Sequence, residues 1–93
     1  MSTSQKHRNF VCEPMGNKLV TELPGIGSVL AQRLANAGYL KASSVLGQFL
    51  AIDKDQEKFK LWLKSVCQAN SKQANDCYIS MRDWTNNFFV IRK

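Results

Sequence analysis

The chain has no apolar stretch approaching the ~18–20 residues that a membrane-spanning helix needs, and nothing near its start reads as a signal-peptide core. Those absences lead us to expect a soluble, intracellular protein with no direct membrane insertion. Histidine occurs once, at His7, and the three cysteines, Cys12, Cys67 and Cys77, are odd in number with no C-x-x-C pair. Neither a zinc set nor a disulfide framework can be assembled from these, so no metal or other cofactor is expected. Cys67 and Cys77 fall among apolar residues and read as small buried hydrophobes of a reducing compartment. Strand-like alternation of useful length is missing too, which excludes a sheet-based fold. Acidic residues are few. Glu13, Glu22, Asp53, Asp55, Glu57, Asp76 and Asp83 form no acid–base or metal constellation, and no catalytic residues are assigned.

What is present is positive charge and enough apolar surface for one small core. Thirteen Lys and Arg against seven Asp and Glu give a net charge of +6 over 93 residues. That balance favours a polyanionic partner, although basic charge alone is a weak argument. Hydrophobic residues make up 44% of the chain, enough to argue against disorder. A chain of this size buries nearly two-thirds of its unfolded surface, so the core is thin and self-association would help it. We expect a single domain over residues 1–93.

The stretch carrying the most information is Leu23-Pro24-Gly25-Ile26-Gly27, followed by Ala31 and Leu34. A short helical run, Leu19 to Leu23, leads into it, and an apolar-periodic run, Ser28 to Ala37, leads out. Pro24 biases Leu23 away from the α region and stops the first segment. Two glycines around one apolar residue permit a tight bend in which Ile26 plugs into the core. The Gly25 and Gly27 amides then face outward at a helix N-terminus, where unpaired N–H groups and the helix dipole favour an anion. Gly-Ile-Gly-x3-Ala-x2-Leu resembles the helix-hairpin-helix motif, here at about residues 19–37, which grips a nucleic-acid phosphate without reading bases. A turn serving packing alone is the competing explanation for such a glycine pair.

The remaining pattern is helical. A first helix covers Ser4 or Gln5 to Val11 with Phe10 and Val11 inward, and Pro14-Met15-Gly16-Asn17 reads as a turn. Gly38 closes the hairpin unit, and Tyr39 and Leu40 are expected to tuck in. Ala42, Val45, Leu46, Phe49, Leu50 and Ile52 define one face of a helix over Lys41–Ile52. After Asp53-Lys54-Asp55, with an aspartate available as N-cap, a helix over Gln56–Gln68 carries Phe59, Trp62, Leu63, Val66 and Cys67 on one stripe. Ser71 is expected to cap a last helix, Lys72 to about Phe89, with Ala74, Cys77, Tyr78, Met81, Trp84 and Phe88 inward. The pattern leaves Val90-Ile91-Arg92-Lys93 open. The fold class is all-α, a small compact bundle of about five helices.

Taken together, Ser4-Gln5-Lys6-His7-Arg8, Glu13-Pro14-Met15-Gly16, Gly25-Ile26-Gly27, Val45-Leu46-Gly47-Gln48-Phe49-Leu50, Trp62-Leu63-Lys64 and Asp76-Cys77 resemble barrier-to-autointegration factors, over residues 1 to about 89. The likeness is to an insect-type member or a diverged paralogue. It implies a SAM-domain-like arrangement of the helices and a compact homodimer that binds double-stranded DNA non-specifically, one duplex per subunit, and so bridges two duplexes. Also implied are roles in chromatin organisation and nuclear envelope assembly with LEM-domain proteins and lamins, in shielding retroviral DNA, and a nuclear location with a cytoplasmic pool. The resemblance places the DNA contacts at Gln5, Lys6, Gly25, Ile26, Gly27, Val29, Leu30, Arg33, Ser71 and Lys72. It places the dimer or partner surface at Gly47, Phe49, Leu50, Ala51, Asp53, Phe59, Trp62 and Leu63, and kinase targets at Ser2, Thr3 and Ser4.

Lys6 and Lys72 are the side chains expected to meet phosphate, whereas Lys58, Lys60 and Lys64 read as an ordinary wet helix face. The aromatic residues at helical spacing read as core rather than as a base-stacking platform. Phosphate on the N-terminal hydroxyls would add about −1.5 to −2 charge each beside Lys6 and repel DNA. Departures from the family pattern concentrate at Ser43, Ala51 and Asp53, near the partner surface. They keep open a second reading, an adaptor that pairs with a standard family member and binds DNA weakly.

Overall fold

The computed structural model describes residues 4–89, and the order of elements follows from local chemistry. Helix α1 spans Gln5–Cys12 and is capped by Ser4, whose hydroxyl accepts the His7 N–H at 3.1 Å. The run before the glycines contracts to a single 3-10 turn, Val20–Glu22, shorter than the expected Leu19–Leu23 helix. Pro24 follows too soon for a longer one. Helices α2 (Ser28–Asn36) and α3 (Ala42–Ala51) are joined through Gly38, whose φ of +96° turns the chain back. Antiparallel pairing of Leu19 with Lys41 ties the strand-like flanks of the 3-10 turn and α3 together: Val20 N donates to Leu40 O at 3.0 Å, and Ala42 N to Lys18 O at 2.9 Å.

Helix α4 spans Gln56–Cys67 and is capped by Asp55, which accepts the Lys58 N–H at 2.9 Å. Helix α5 runs Ser71–Phe88. Its cap is Asn70 rather than Ser71. Asn70 accepts from Gln73 N, and Gln73 returns its own side-chain oxygen to Asn70 N, both at 2.8 Å. This reciprocal pair satisfies two donors, which a serine one position later could not do. Helix α5 lies against α1 on one side and α4 on the other, while α2 packs on α4 and the 3-10 turn.

The centre is built by Phe10, Leu23, Ile26, Leu34, Phe49, Phe59, Leu63 and Met81, each 2% exposed or less. Phe49 and Phe59 meet edge to face with ring centres 5.1 Å apart. Cys67 and Cys77 are buried free thiols in this core, and burial pushes both above the usual thiol range. Two expectations fail at the periphery. Leu40 is 54% exposed because its carbonyl is held in the pairing with Val20, which turns the side chain outward. Phe88 is exposed as well, stacked on the outside of Trp84 at 4.8 Å. Trp84 itself is buried and fixed by its indole N–H, which donates to Glu13 O at 2.9 Å. Residues Ser2, Thr3 and Val90–Lys93, on which earlier expectations bear, lie outside the described residues.

Truncating the central ring is the direct test of this packing. Phe59→Ala should cost about 3–5 kcal/mol in a urea unfolding titration, because a full aromatic contact set is lost around a rigid cavity.

Candidate nucleic-acid interface

The two glycines of the bend do different things. Gly25 has φ +84°, a conformation L side chains rarely adopt, and its Cα faces the first turns of α5. A Cβ there would come within 2.5 Å of Gln73 O and 3.1 Å of Asp76 Cβ. Gly25 is therefore required by the fold. Gly27 is not: it is the N-cap of α2 with φ −92° and ψ −171°, extended backbone open to any residue, and a Cβ on it meets nothing within 4 Å. The expectation that both glycines serve the bend is corrected accordingly. The missing side chain of Gly27 leaves room on the outside of the chain, where something else could approach its backbone.

Ile26 between them is pinned. Its side chain is 1% exposed, its N–H donates to Leu23 O at 3.0 Å, and its carbonyl accepts from Lys6 Nζ at 2.9 Å. It anchors the bend and has no donor to spare. The Gly25, Gly27, Val29 and Leu30 amides, by contrast, meet no acceptor among the described residues. With the Ser28 amide, which also meets none, five N–H donors collect around the positive end of a nine-residue helix.

Beside them lies a cleft of about 340 Å³ whose walls include Ser4, Lys6, His7, Gly25, Lys72 and Arg82. Lys72 is 79% exposed and pairs with Asp76 at 2.9 Å. Lys6 is exposed, and its pKa is lowered, chiefly by desolvation, against the opposing fields of Cys77 and Glu22. His7 Nε2 stands 3.2 Å from Asp83, which also holds Arg82 at 3.0 Å. Sequence reasoning gave no place in the site to His7, Arg82, Asp76 or Asp83. The signal was there: Lys72, Asp76, Ile79 and Asp83 recur at four, three and four, a stripe beside the apolar one on α5.

The remaining residues fall elsewhere. Gln5 is exposed and bridges Asn9 and Arg8, and Ser71 is the exposed first residue of α5. Arg33 does not reach the cleft contacts; its guanidinium donates to Cys67 O at 3.2 Å and closes the end of α4. Of the partner surface, Phe49, Phe59 and Leu63 are fully buried inside the subunit, since each lies on the inward stripe of its helix and not on a seam. Gly47, Leu50, Ala51 and Asp53 are exposed and Trp62 is half-buried. Among the described residues no three His, Cys, Asp or Glu side chains gather as a metal site, and no helix is long and apolar enough to cross a membrane.

A glycine bend at a helix N-terminus in a small all-α bundle narrows the family, and comparison decides it. The model of the barrier to autointegration factor family matches residues 1–88. The chain belongs to the barrier-to-autointegration factor family. Family members share its length as well as its residues. The barrier-to-autointegration factor of Drosophila melanogaster is 62% identical over 86 residues, covering 92% of this chain and 96% of the relative. That of Danio rerio is 56% identical, covering 94% and 97%, and that of Homo sapiens 53%, covering 95% and 99%. The SAM-like all-α architecture is the one this family takes.

The contrast between the glycines can be measured. Gly25→Ala should lose about 2 kcal/mol or more in urea unfolding, from a left-handed alanine and a collision with α5 backbone. Gly27→Ala should stay within about 1 kcal/mol of the parent.

Proposed function

We propose that this chain binds double-stranded DNA through the sugar-phosphate backbone without sequence preference. As a homodimer it would bridge two duplexes, in chromatin organisation and nuclear envelope assembly within the nucleus. The observation that carries this reading is the set of unpaired amides between Gly25 and Leu30, beside an outer face that Gly27 leaves bare. A phosphate oxygen is the acceptor such a site suits: anionic, multidentate and favoured by the helix dipole. Lys72, exposed beside the bend, supplies a mobile charge once it leaves Asp76. Amide-to-phosphate bonds touch no base edge, so they position the duplex and specify nothing. Membership of the barrier to autointegration factor family, resemblance to which implies duplex DNA, supports the same partner.

Dimerisation, with LEM-domain proteins and lamins as further partners, rests on the family and on the exposed remainder of the partner surface: Gly47, Leu50, Ala51 and Asp53. That remainder is small and partly acidic, which favours a second reading. Here the chain pairs with a standard family member and acts as an adaptor. Neither reading involves catalysis or a cofactor. Phosphorylation of Ser4, which caps α1 at the rim of the cleft, would bring negative charge there and release DNA; Ser2 and Thr3, outside the described residues, are the other proposed targets.

Gel filtration with short duplexes at two salt concentrations tests the proposal. A dimer carrying two duplexes, with affinity falling steeply as salt rises and equal for unrelated sequences, is expected. A monomer that dimerises only when mixed with a standard member supports the adaptor, and strong sequence preference contradicts both. Gly27→Ala, folded as firmly as the parent, should lose about tenfold or more in duplex affinity. Lys72→Met should weaken all sequences equally and reduce the slope of log affinity against log salt by about 0.9.

A further inference from the structure

Lys6 reaches across twenty residues of sequence to donate from Nζ to the Ile26 carbonyl at 2.9 Å. That carbonyl and the N–H of Gly27 belong to one peptide unit. The unit is planar and trans, as all described peptides are, so the two groups point in opposite directions. Fixing the oxygen on one side fixes the direction of the N–H on the other. We infer that Lys6 is a positioning residue: by holding the Ile26 carbonyl it aims the Gly27 amide outward, and its ammonium meets no phosphate itself.

Three further observations agree. Ile26 is held at its other two points by the core and by Leu23, so the Lys6 contact removes the last freedom of that peptide to rotate. Lys6 is exposed as a residue, yet its ammonium donates to an internal carbonyl, lies in the field of Glu22, and has its pKa lowered chiefly by desolvation. A cation on the carbonyl side also polarises the peptide and strengthens its N–H as a donor. Lys72, 79% exposed, differs in its partner: it pairs with a neighbour on its own helix. The two lysines of the cleft thus divide the work: one orients a donor and the other carries charge to the ligand.

This inference rests on the hairpin as the phosphate grip, and the test separates the two. Lys6→Met keeps the length and apolar stem and removes the donor; Lys6→Arg keeps donor and charge. Duplex affinity of full-length protein is measured against salt, and the Gly27 amide resonance is followed in DNA-free protein. Lys6→Met should weaken binding about tenfold with the parent salt slope, shift the Gly27 amide, and be largely rescued by Lys6→Arg. A slope reduced by about 0.9 with an unmoved Gly27 amide would make Lys6 a direct phosphate contact and overturn the inference. If the parent binds no duplex, the functional reading fails, yet the Gly27 amide still decides whether Lys6 aims it. Should Lys6→Met not fold, the Ile26 carbonyl-carbon shift of the parent serves, followed from about pH 7 to about pH 11. It should move with a single step below the ordinary lysine value. A flat profile overturns the inference.

Discussion

Everything at the surface of this molecule depends on one close approach, the Cα of Gly25 against the backbone of α5. With a hydrogen in place of a side chain, the bend sits where a Cβ would be 2.5 Å from the Gln73 carbonyl. That contact sets the distance between the start of α2 and the start of α5, and so brings Lys72 to the same cleft as the bend. Helix α1 is brought in by its own packing on α5, delivering Lys6 from the third side. Three elements distant in sequence meet because one residue has no side chain. The free amides are a consequence, left over when a helix begins at an exposed N-cap with no side chain to satisfy it.

The division between structural and exposed groups runs finely through the motif. Ile26 uses all it has inside the protein: side chain to the core, N–H to the turn, carbonyl to Lys6. Its neighbours Gly25 and Gly27 leave their amide donors without an acceptor among the described residues. Such alternation suits a grip on phosphate, since donors held in a rigid frame pay little entropy on binding. The carboxylates of the cleft add restraint. Asp76 and Asp83 pair with Lys72, Arg82 and His7, so the surface is less positive locally than the net charge of +6 suggests.

Much of the fold could be read from the chain because the apolar positions keep strict helical spacing. Phe59, Leu63 and Cys67 recur at four and four and are all buried, and Asp55 caps the helix they define. Boundaries were less legible where two residues compete for a role. Asn70 and Ser71 are both good caps, and the reciprocal bond with Gln73 decides between them. The Gly-Ile-Gly bend was legible as a motif, but only coordinates distinguish a glycine that the fold needs from one that it does not. Arg33 illustrates what spacing cannot convey. It lies one turn past the bend, yet the end of α4 offers it the Cys67 carbonyl, a contact set by tertiary packing alone. The same limit explains why Phe49, Phe59 and Leu63 were placed at a seam: an apolar stripe does not say which side of it is the subunit's own core.

The central claim is that unpaired backbone donors hold the duplex. Titrating short duplex DNA into isotopically labelled protein and following each amide resonance addresses it without altering any residue. Large, concerted shifts of the Gly25, Gly27, Val29 and Leu30 amides, with the Ile26 amide little changed, are expected. Shifts confined to the lysine face of α4, around Lys58, Lys60 and Lys64, with the bend silent, would contradict the account.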